Sequence, residues 1–154
     1  MVGALRFLPD AAALEAAGRA LGEHGSAAEF PALLKAVRYY RSRRDPAAVA
    51  ALVPTLGQIR GKKAVPFLFD LVRRKEVAPA VAAIRVLGYY REPSDKVTPK
   101  LVSLMSRAES AGRGTRLEDR ERWLELKPAY FEALERLTGR AFVSAAEAKA
   151  WLRR

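Results

Sequence analysis

The sequence predicts an all-α protein, an α-α superhelix of about three to four helical hairpins that ends in a C-terminal capping helix. Two repeated patterns predict this fold class. In the first, Pro31, Pro66 and Pro99 recur 35 and 33 residues apart, each followed by apolar residues in the same phase. A period of about 20–50 residues is typical of helical repeats, in which each unit buries its apolar face against its neighbours.

The second pattern alternates with the first. Residues 48–57 and 80–88 are rich in alanine and both end in Leu-Gly, and a weaker copy ends at Gly22. Alanine allows neighbouring helices to approach closely, and the closing glycine is predicted to stop each helix in the left-handed conformation. Over residues 26–107 this alternation resembles the short bacterial HEAT-like repeats that are related to the repeats of phycobilisome lyases. The resemblance implies a helical-repeat fold and brings no catalytic motif with it.

Length and composition predict one globular domain over residues 1–154, because half of the residues are apolar and a chain of this size can bury a large core. There is no apolar run of about 18 residues, so no membrane span is expected. The opening residues, MVGALRFLPD, do not form a convincing signal peptide, which favours a cytoplasmic location. The absence of cysteine excludes disulfides and thiolate-bound metals.

The net charge of +11 is concentrated in the repeats, since residues 31–107 carry sixteen basic and five acidic side chains. Such an excess is typical of proteins that bind nucleic acid, acidic proteins or anionic surfaces. An alternative stays open. The chain is rich in arginine and alanine, with no asparagine and one glutamine, so the excess is also what a biased genomic composition would produce.

Local signals then place the elements in order. Asp10 is a predicted N-cap for a first helix over residues 10–25, and the sequence from Ser26 to Glu29 fits a capping box for the next helix. Asp45 followed by Pro46 predicts the start of another helix, in which Pro54 should distort a turn. Together these signals predict an N-terminal helix and the first full hairpin.

A second hairpin is predicted over residues 64–74 and 77–90, and Ser94 or Asp95 should cap a helix over residues 96–108. Residues 109–115 are polar and contain two glycines, which predicts a longer loop. An insertion of this kind in a repeat array is either a binding loop or simply a mobile connection.

The C-terminal part, residues 117–154, is predicted to hold a further repeat and a capping helix. Pro128 should divide or restart the long helical pattern of residues 117–138. After a Leu-Thr-Gly turn, Ser144 and Glu147 fit a second capping box. This ending resembles the closing segment of many HEAT-like arrays, which implies that Trp151 is a core residue of the cap.

Motifs for catalysis are missing from the sequence. The stretch from Gly57 to Lys63 has too few residues between its glycines for a phosphate-binding loop and lies between helices instead of after a strand. His24 is the one histidine, and Glu132 and Glu135 have no histidine beside them, so neither a metal site nor a catalytic base is expected. We therefore expect no enzyme activity and no cofactor.

The candidate binding residues are basic clusters predicted to follow successive first helices and to line up along one edge of the stack. The full candidate set, which includes one tyrosine, is Arg41, Arg43, Arg44, Arg73, Arg74, Lys75, Arg85, Tyr90, Arg107, Arg113 and Arg116. The opposite edge is expected to collect Arg60, Lys62, Lys63, Arg91 and Lys96. A row of guanidinium groups suits an acidic protein or a phosphate backbone, although cations in a last helical turn also simply complement the helix dipole.

Two function classes follow. The first is a non-catalytic scaffold that binds another protein, with an acidic surface, on a concave face lined by residues 47–58, 78–90 and 128–137 or on the basic edge. The alternative is nucleic-acid (DNA) binding through the basic turns, with bases stacked on the Tyr39-Tyr40 and Tyr89-Tyr90 pairs. For each tyrosine pair, the competing expectation is that one ring packs in the core and the other covers the surface.

Overall fold

The all-α prediction is confirmed. A computed structural model describes residue 5 and residues 10–59, 64–91 and 96–153, and within these ranges it contains helices and no strand. The helices are α1 Ala11–His24, α2 Phe30–Ser42, α3 Pro46–Ile59, α4 Ala64–Arg73, α5 Val77–Leu87, α6 Val97–Gly112, α7 Leu117–Thr138 and α8 Ala145–Trp151, with a 3-10 turn at Ala27–Glu29. None of them combines the length and the apolarity needed to cross a bilayer.

The three repeated prolines lie in the first turns of α2, α4 and α6, where a missing N–H costs no helical hydrogen bond. Within the described ranges the number of helices exceeds that of the predicted three to four hairpins, because α1 precedes the first proline-marked helix and α8 follows α7. The chain forms two compact units, Met1–Ala83 and Ile84–Arg154. The superhelix and the single-domain organisation stay predictions.

In the first unit α3 is the central helix, since α1, α2 and α4 all pack against it. Leu52 and Leu56 of α3 are fully buried, as are Leu33 and Val37 of the adjacent α2. Thr55 is a buried polar residue on the same helix. Burial of several such side chains at about 1.5–3 kcal/mol each is what holds these short helices together.

Glycines at the ends of the Leu-Gly pattern have a different role from the predicted one. Gly22 lies inside α1, Gly57 lies inside α3, and neither they nor Gly88 has a positive φ. The prediction of left-handed stops is therefore wrong at these positions. A Cβ on Gly88 would lie 2.9 Å from the Cα of Ala133, so close helix contact explains this glycine, whereas one on Gly22 would meet the flexible side chain of Gln58.

In the second unit α6 packs against α7 and α8. The prediction that Pro128 divides α7 is wrong, because the helix is continuous from Leu117 to Thr138. Trp123 and Leu126 before the proline, and Tyr130 and Leu134 after it, are all buried. Apolar packing on both sides of the exposed Pro128 therefore holds one helical axis despite the lost hydrogen bond.

The predicted loop at residues 109–115 is also shorter than expected, since α6 continues to Gly112 and only residues 113–116 connect it to α7. Two contacts extend the helix. The Glu109 carboxylate pairs with Arg113 at 2.9 Å, one turn later, and the buried Gly112 allows Trp123 of α7 to approach its backbone. The interpretation of this stretch as an extended binding loop therefore has no support in the fold.

Helix caps follow the sequence closely. Asp10 accepts a hydrogen bond from the N–H of Ala13 at 2.7 Å, and Asp45 accepts one from the N–H of Ala48 at 2.9 Å. At the first capping box the Glu29 carboxylate accepts from the N–H of Ser26, but the α-helix begins only at Phe30, after a 3-10 turn. Ser94 and Asp95 lie outside the described residues, and Lys96, with a φ of 47°, precedes α6.

The C-terminal cap forms as the sequence predicts. Gly139 ends α7 with a φ of 72°, and Ser144 accepts from the N–H of Glu147 at 3.2 Å to begin α8. The Trp151 ring packs edge-on against the buried Phe142, with ring centroids 5.9 Å apart. The segment that follows α7 is thus tied to the helical core.

Candidate binding site

The first unit brings three of the predicted arginines together at the ends of α2 and α4. Asp70 Oδ2 on α4 lies 3.1 Å from Arg74 Nε and 3.4 Å from Arg41 Nη1 on α2. One carboxylate oxygen therefore faces two guanidinium groups, all with side chains that are one-third to one-half exposed. Exposed pairs of this kind contribute about 0–1 kcal/mol each, so a competing carboxylate can displace them at little cost.

Arg44 completes the group because of its backbone. It has a φ of 56°, in the left-handed region that glycine usually occupies. The N–H of Asp45 donates to the carbonyl of Tyr40 at 3.1 Å, which closes the end of α2 in the manner of a Schellman motif. The αL residue turns the chain sharply, and the exposed Arg44 is therefore fixed between the end of α2 and the start of α3.

These arginines surround a cavity of about 230 Å³, which we name the arginine cleft. It is lined by Arg41, Arg44, Asp45, Pro46, Val49, Leu71, Arg74, Glu76 and Pro79. A second hollow of about 380 Å³ shares Arg41 and Arg74 and adds Arg38, Asp70 and the apolar Leu34, Pro66 and Phe67. The two arginines thus belong to both linings, each of which combines basic and apolar groups.

Tyr39 and Tyr40, near the end of α2, both have defined packing contacts. Tyr40 is buried and its hydroxyl donates to the carbonyl of Leu5 at 2.6 Å, while burial first, and then Tyr39 and Asp45, raise its pKa. Tyr39 packs edge-on against Tyr40 and carries the guanidinium of Arg43 over its ring, 5.5 Å from the centroid. One ring of this pair therefore packs in the core, and the other lies towards the surface.

The remaining predicted residues of the first unit lie on the same two turns. Arg43 donates to the Tyr39 hydroxyl at 3.3 Å, Arg73 is the exposed last residue of α4, and Lys75 is exposed in the turn before α5. Together with the cleft arginines and against the acidic Asp45, Asp70 and Glu76, they leave this end of the unit positively charged.

In the second unit the predicted binding residues are spread over several helices and turns. Arg85 on α5 pairs with Glu132 on α7 at 3.2 Å, and Arg113 pairs with Glu109. Arg107 lies inside α6 instead of following it, which corrects its predicted place in a turn, whereas Arg116 precedes α7 and is exposed. Tyr90 lies half-buried after α5, next to the 60% exposed Tyr89, whose ring stacks under Arg136.

The opposite basic edge is not established. Arg60, Lys62 and Lys63 lie outside the described residues, while Arg91 and Lys96 are exposed. The row of clusters that should extend through both units likewise stays a prediction. What the first unit shows is a compact group of arginines around one cleft.

Sequence reasoning missed two parts of this site. The first is Asp70, whose pairing with Arg74 follows from helical i, i+4 spacing but whose pairing with Arg41 joins residues 29 positions apart. The second is the apolar floor, to which the buried Val49 and Leu71 contribute from different helices. Only the fold brings these groups together.

In the part of the chain that the structure describes, no group of three or more His, Cys, Asp or Glu side chains is placed to hold a metal ion. The features that remain define a helical protein with a basic cleft in its first unit. Comparison of the chain with protein-family models found no match, and comparisons with curated proteins and with solved structures found none either.

Proposed function

We propose that this chain is a non-catalytic helical-repeat module of the HEAT-like kind, and that it binds an acidic segment of another protein at the arginine cleft. The observation that supports this proposal is the sharing of the Asp70 carboxylate by Arg41 and Arg74 beside a third arginine, Arg44. Guanidinium groups that already hold a carboxylate oxygen are well arranged to hold another.

The repeat assignment rests on the placement of the prolines and on helix pairing. Pro31, Pro66 and Pro99 each occupy a first helical turn, and the helices they open alternate along the chain with alanine-rich or longer helices. Within the first unit, α3 packs both against its neighbour α2 and against α1, the helix two positions earlier. Contact between alternate helices is typical of stacked repeats.

A protein partner is favoured over nucleic acid by the composition of the cleft. Asp45 and Glu76 line it together with the arginines, but their carboxylates repel a phosphate backbone and the carboxylates of a peptide alike, so the apolar part of the lining decides. Pro46, Val49 and Leu71 add apolar surface, which side chains of a polypeptide can cover. The DNA-binding alternative draws its support from the charge excess of residues 31–107 and is the outcome against which the proposal is tested.

The test is fluorescence anisotropy with two labelled probes, a short peptide of aspartate and glutamate and a duplex DNA, from low to physiological salt. We expect the peptide to bind the wild-type chain and the double substitution of Arg41→Gln with Arg74→Gln to weaken it about tenfold, since each exposed ion pair contributes up to about 1 kcal/mol and 1.4 kcal/mol is tenfold. Circular dichroism of each variant establishes that it is folded.

The matched control is Arg19→Gln. Arg19 pairs with Glu15 one helical turn away at 3.2 Å, as Arg74 does with Asp70, but on α1 and outside the cleft. We expect it to leave peptide affinity unchanged. Equal weakening by control and cleft variants, or DNA binding that persists at physiological salt without peptide binding, would overturn the proposal.

A further inference from the structure

The arginine cleft has an apolar floor as well as a charged rim. Val49 and Leu71 are 2% and 1% exposed, and with Pro46 and Pro79 they form the part of the lining that carries no charge. Arg41, Arg44 and Arg74 contribute the cationic part. An occupant that bound only the arginines would leave the apolar part of the lining without a matching apolar group.

We infer that the cleft receives one apolar side chain, aliphatic or aromatic, of the acidic segment, while carboxylates beside that side chain in the same segment pair with Arg41, Arg44 and Arg74. This inference rests on the proposed function and specifies its ligand. The occupant is thus a peptide in which a single apolar anchor is flanked by aspartate or glutamate.

The size of the cleft suits a side chain. Its volume of about 230 Å³ lies below the ~300–1,000 Å³ of pockets that enclose whole small-molecule ligands. It is also far larger than the ~10–15 Å³ that a cavity needs to hold one water. A group of intermediate size, such as one leucine or phenylalanine side chain, matches this space.

The charges of the cleft lining also favour a peptide with one apolar side chain flanked by carboxylates. Asp45 and Glu76 disfavour an occupant that is negative on all sides, such as inorganic phosphate. Asp45 Oδ1 is already engaged by the N–H of Ala48 at 2.9 Å, so it stays in place as part of the α3 cap. A peptide that presents an apolar group inward and carboxylates outward fits the mixed lining, because its charges meet the arginines at the rim.

The experiment compares three fluorescent peptides of equal length: one of aspartate and glutamate alone, one with a central leucine, and one with a central serine. We expect the leucine peptide to bind the wild-type chain about tenfold more tightly than the serine peptide, because burial of an aliphatic side chain contributes at least that much. Methyl NMR should show shifts of Val49 and Leu71 with the leucine peptide and not with the serine peptide.

Pro46→Phe supplies a variant that occupies the cleft, since Pro46 is exposed and belongs to its lining. In this variant we expect the leucine preference, measured as the ratio of leucine-peptide to serine-peptide affinity on the same protein, to fall to about twofold or less. Val49→Ala, which enlarges the floor, provides a second variant in case Pro46→Phe does not fold; a fourth peptide with a central phenylalanine should bind this variant more tightly, relative to the leucine peptide, than it binds wild type.

The possible results of these experiments distinguish a failure of this inference from a failure of the proposed function. If the all-acidic peptide binds in a manner sensitive to Arg41→Gln with Arg74→Gln, but leucine and serine peptides bind equally, the proposed function stands and the anchor is refuted. If no acidic peptide binds at all, the proposed function itself fails. If Pro46→Phe leaves the leucine preference intact, the apolar contact lies elsewhere, and the cleft is refuted as the site that receives the apolar side chain.

Discussion

A Cβ atom on Gly112 would lie 2.6 Å from the Cβ of Trp123, so α6 and α7 meet there through bare backbone. Both atoms are close to the main chain and cannot swing aside. We expect Gly112→Ala to lower the free energy of unfolding by about 1–3 kcal/mol through overpacking, despite the higher helix propensity of alanine. Thermal unfolding followed by circular dichroism measures it.

Gly22→Ala is the matched control, because Gly22 is also a helical glycine whose Cβ would meet a neighbour. That neighbour is the exposed, flexible side chain of Gln58, which can move away. Gly22→Ala should therefore be neutral or stabilising by up to about 1 kcal/mol. Destabilisation of equal size by both substitutions would contradict this account of Gly112.

Pro128 offers a test of the continuous α7. A proline inside a helix costs about 3 kcal/mol relative to alanine, and Pro128 is exposed, so no core packing is lost on its replacement. We expect Pro128→Ala to stabilise the chain by about 1–3 kcal/mol. Pro99→Ala, in the first turn of α6, should have little effect, because no helical hydrogen bond is missing there. A lower melting temperature for Pro128→Ala would argue against an unbroken helix.

Glu147 should make the C-terminal cap sensitive to acid. A hydrogen bond from the N–H of Val143, and then Arg140, lower its pKa. Because the pKa is lower in the folded state, the ionised group stabilises the fold above its unfolded pKa of about 4.3, and this stability is lost as the pH falls through the folded pKa.

We therefore expect Glu147→Gln to lower the melting temperature at neutral pH and the difference from wild type to disappear at strongly acidic pH. Glu121→Gln, an exposed position on α7, serves as the control of equal charge change. A difference between Glu147→Gln and wild type that is the same at both pH values would show that the carboxylate charge is irrelevant to the cap.

Asp70 competes, in the proposed function, with the carboxylates of a partner. Replacement by Asn removes the negative charge that Arg41 and Arg74 share, so Asp70→Asn should tighten binding of the acidic peptide about 1.4- to fivefold, in line with about 0.2–1 kcal/mol for an exposed ion pair. Glu15→Gln changes the net charge by the same amount and should not tighten binding of the acidic peptide. Weaker binding by Asp70→Asn would mean that Asp70 instead holds the arginines in position.

The sequence predicts this structure best where a signal is local. Asp10, Asp45 and Ser144 cap helices as expected, because each cap needs only a side chain and an N–H three residues later. The sequence predicts a loop over residues 109–115, whereas α6 continues to Gly112. The close approach of Trp123 to Gly112 accompanies this helical end, and local propensity contains no information on such a contact between helices. Arg41, Arg44 and Arg74 were predictable from charge, but the floor beneath them depends on which helices pack together.

The left-handed backbone of Arg44 has an implication for engineering. Glycine is the residue that tolerates such a φ without steric conflict, whereas a side chain there costs roughly 1–2 kcal/mol. Any redesign that optimised thermal tolerance alone would therefore replace Arg44 by glycine and would remove one of the cations at the mouth of the cleft. Heat resistance and anion recognition are in opposition at this single position, and a variant library must be screened for both traits.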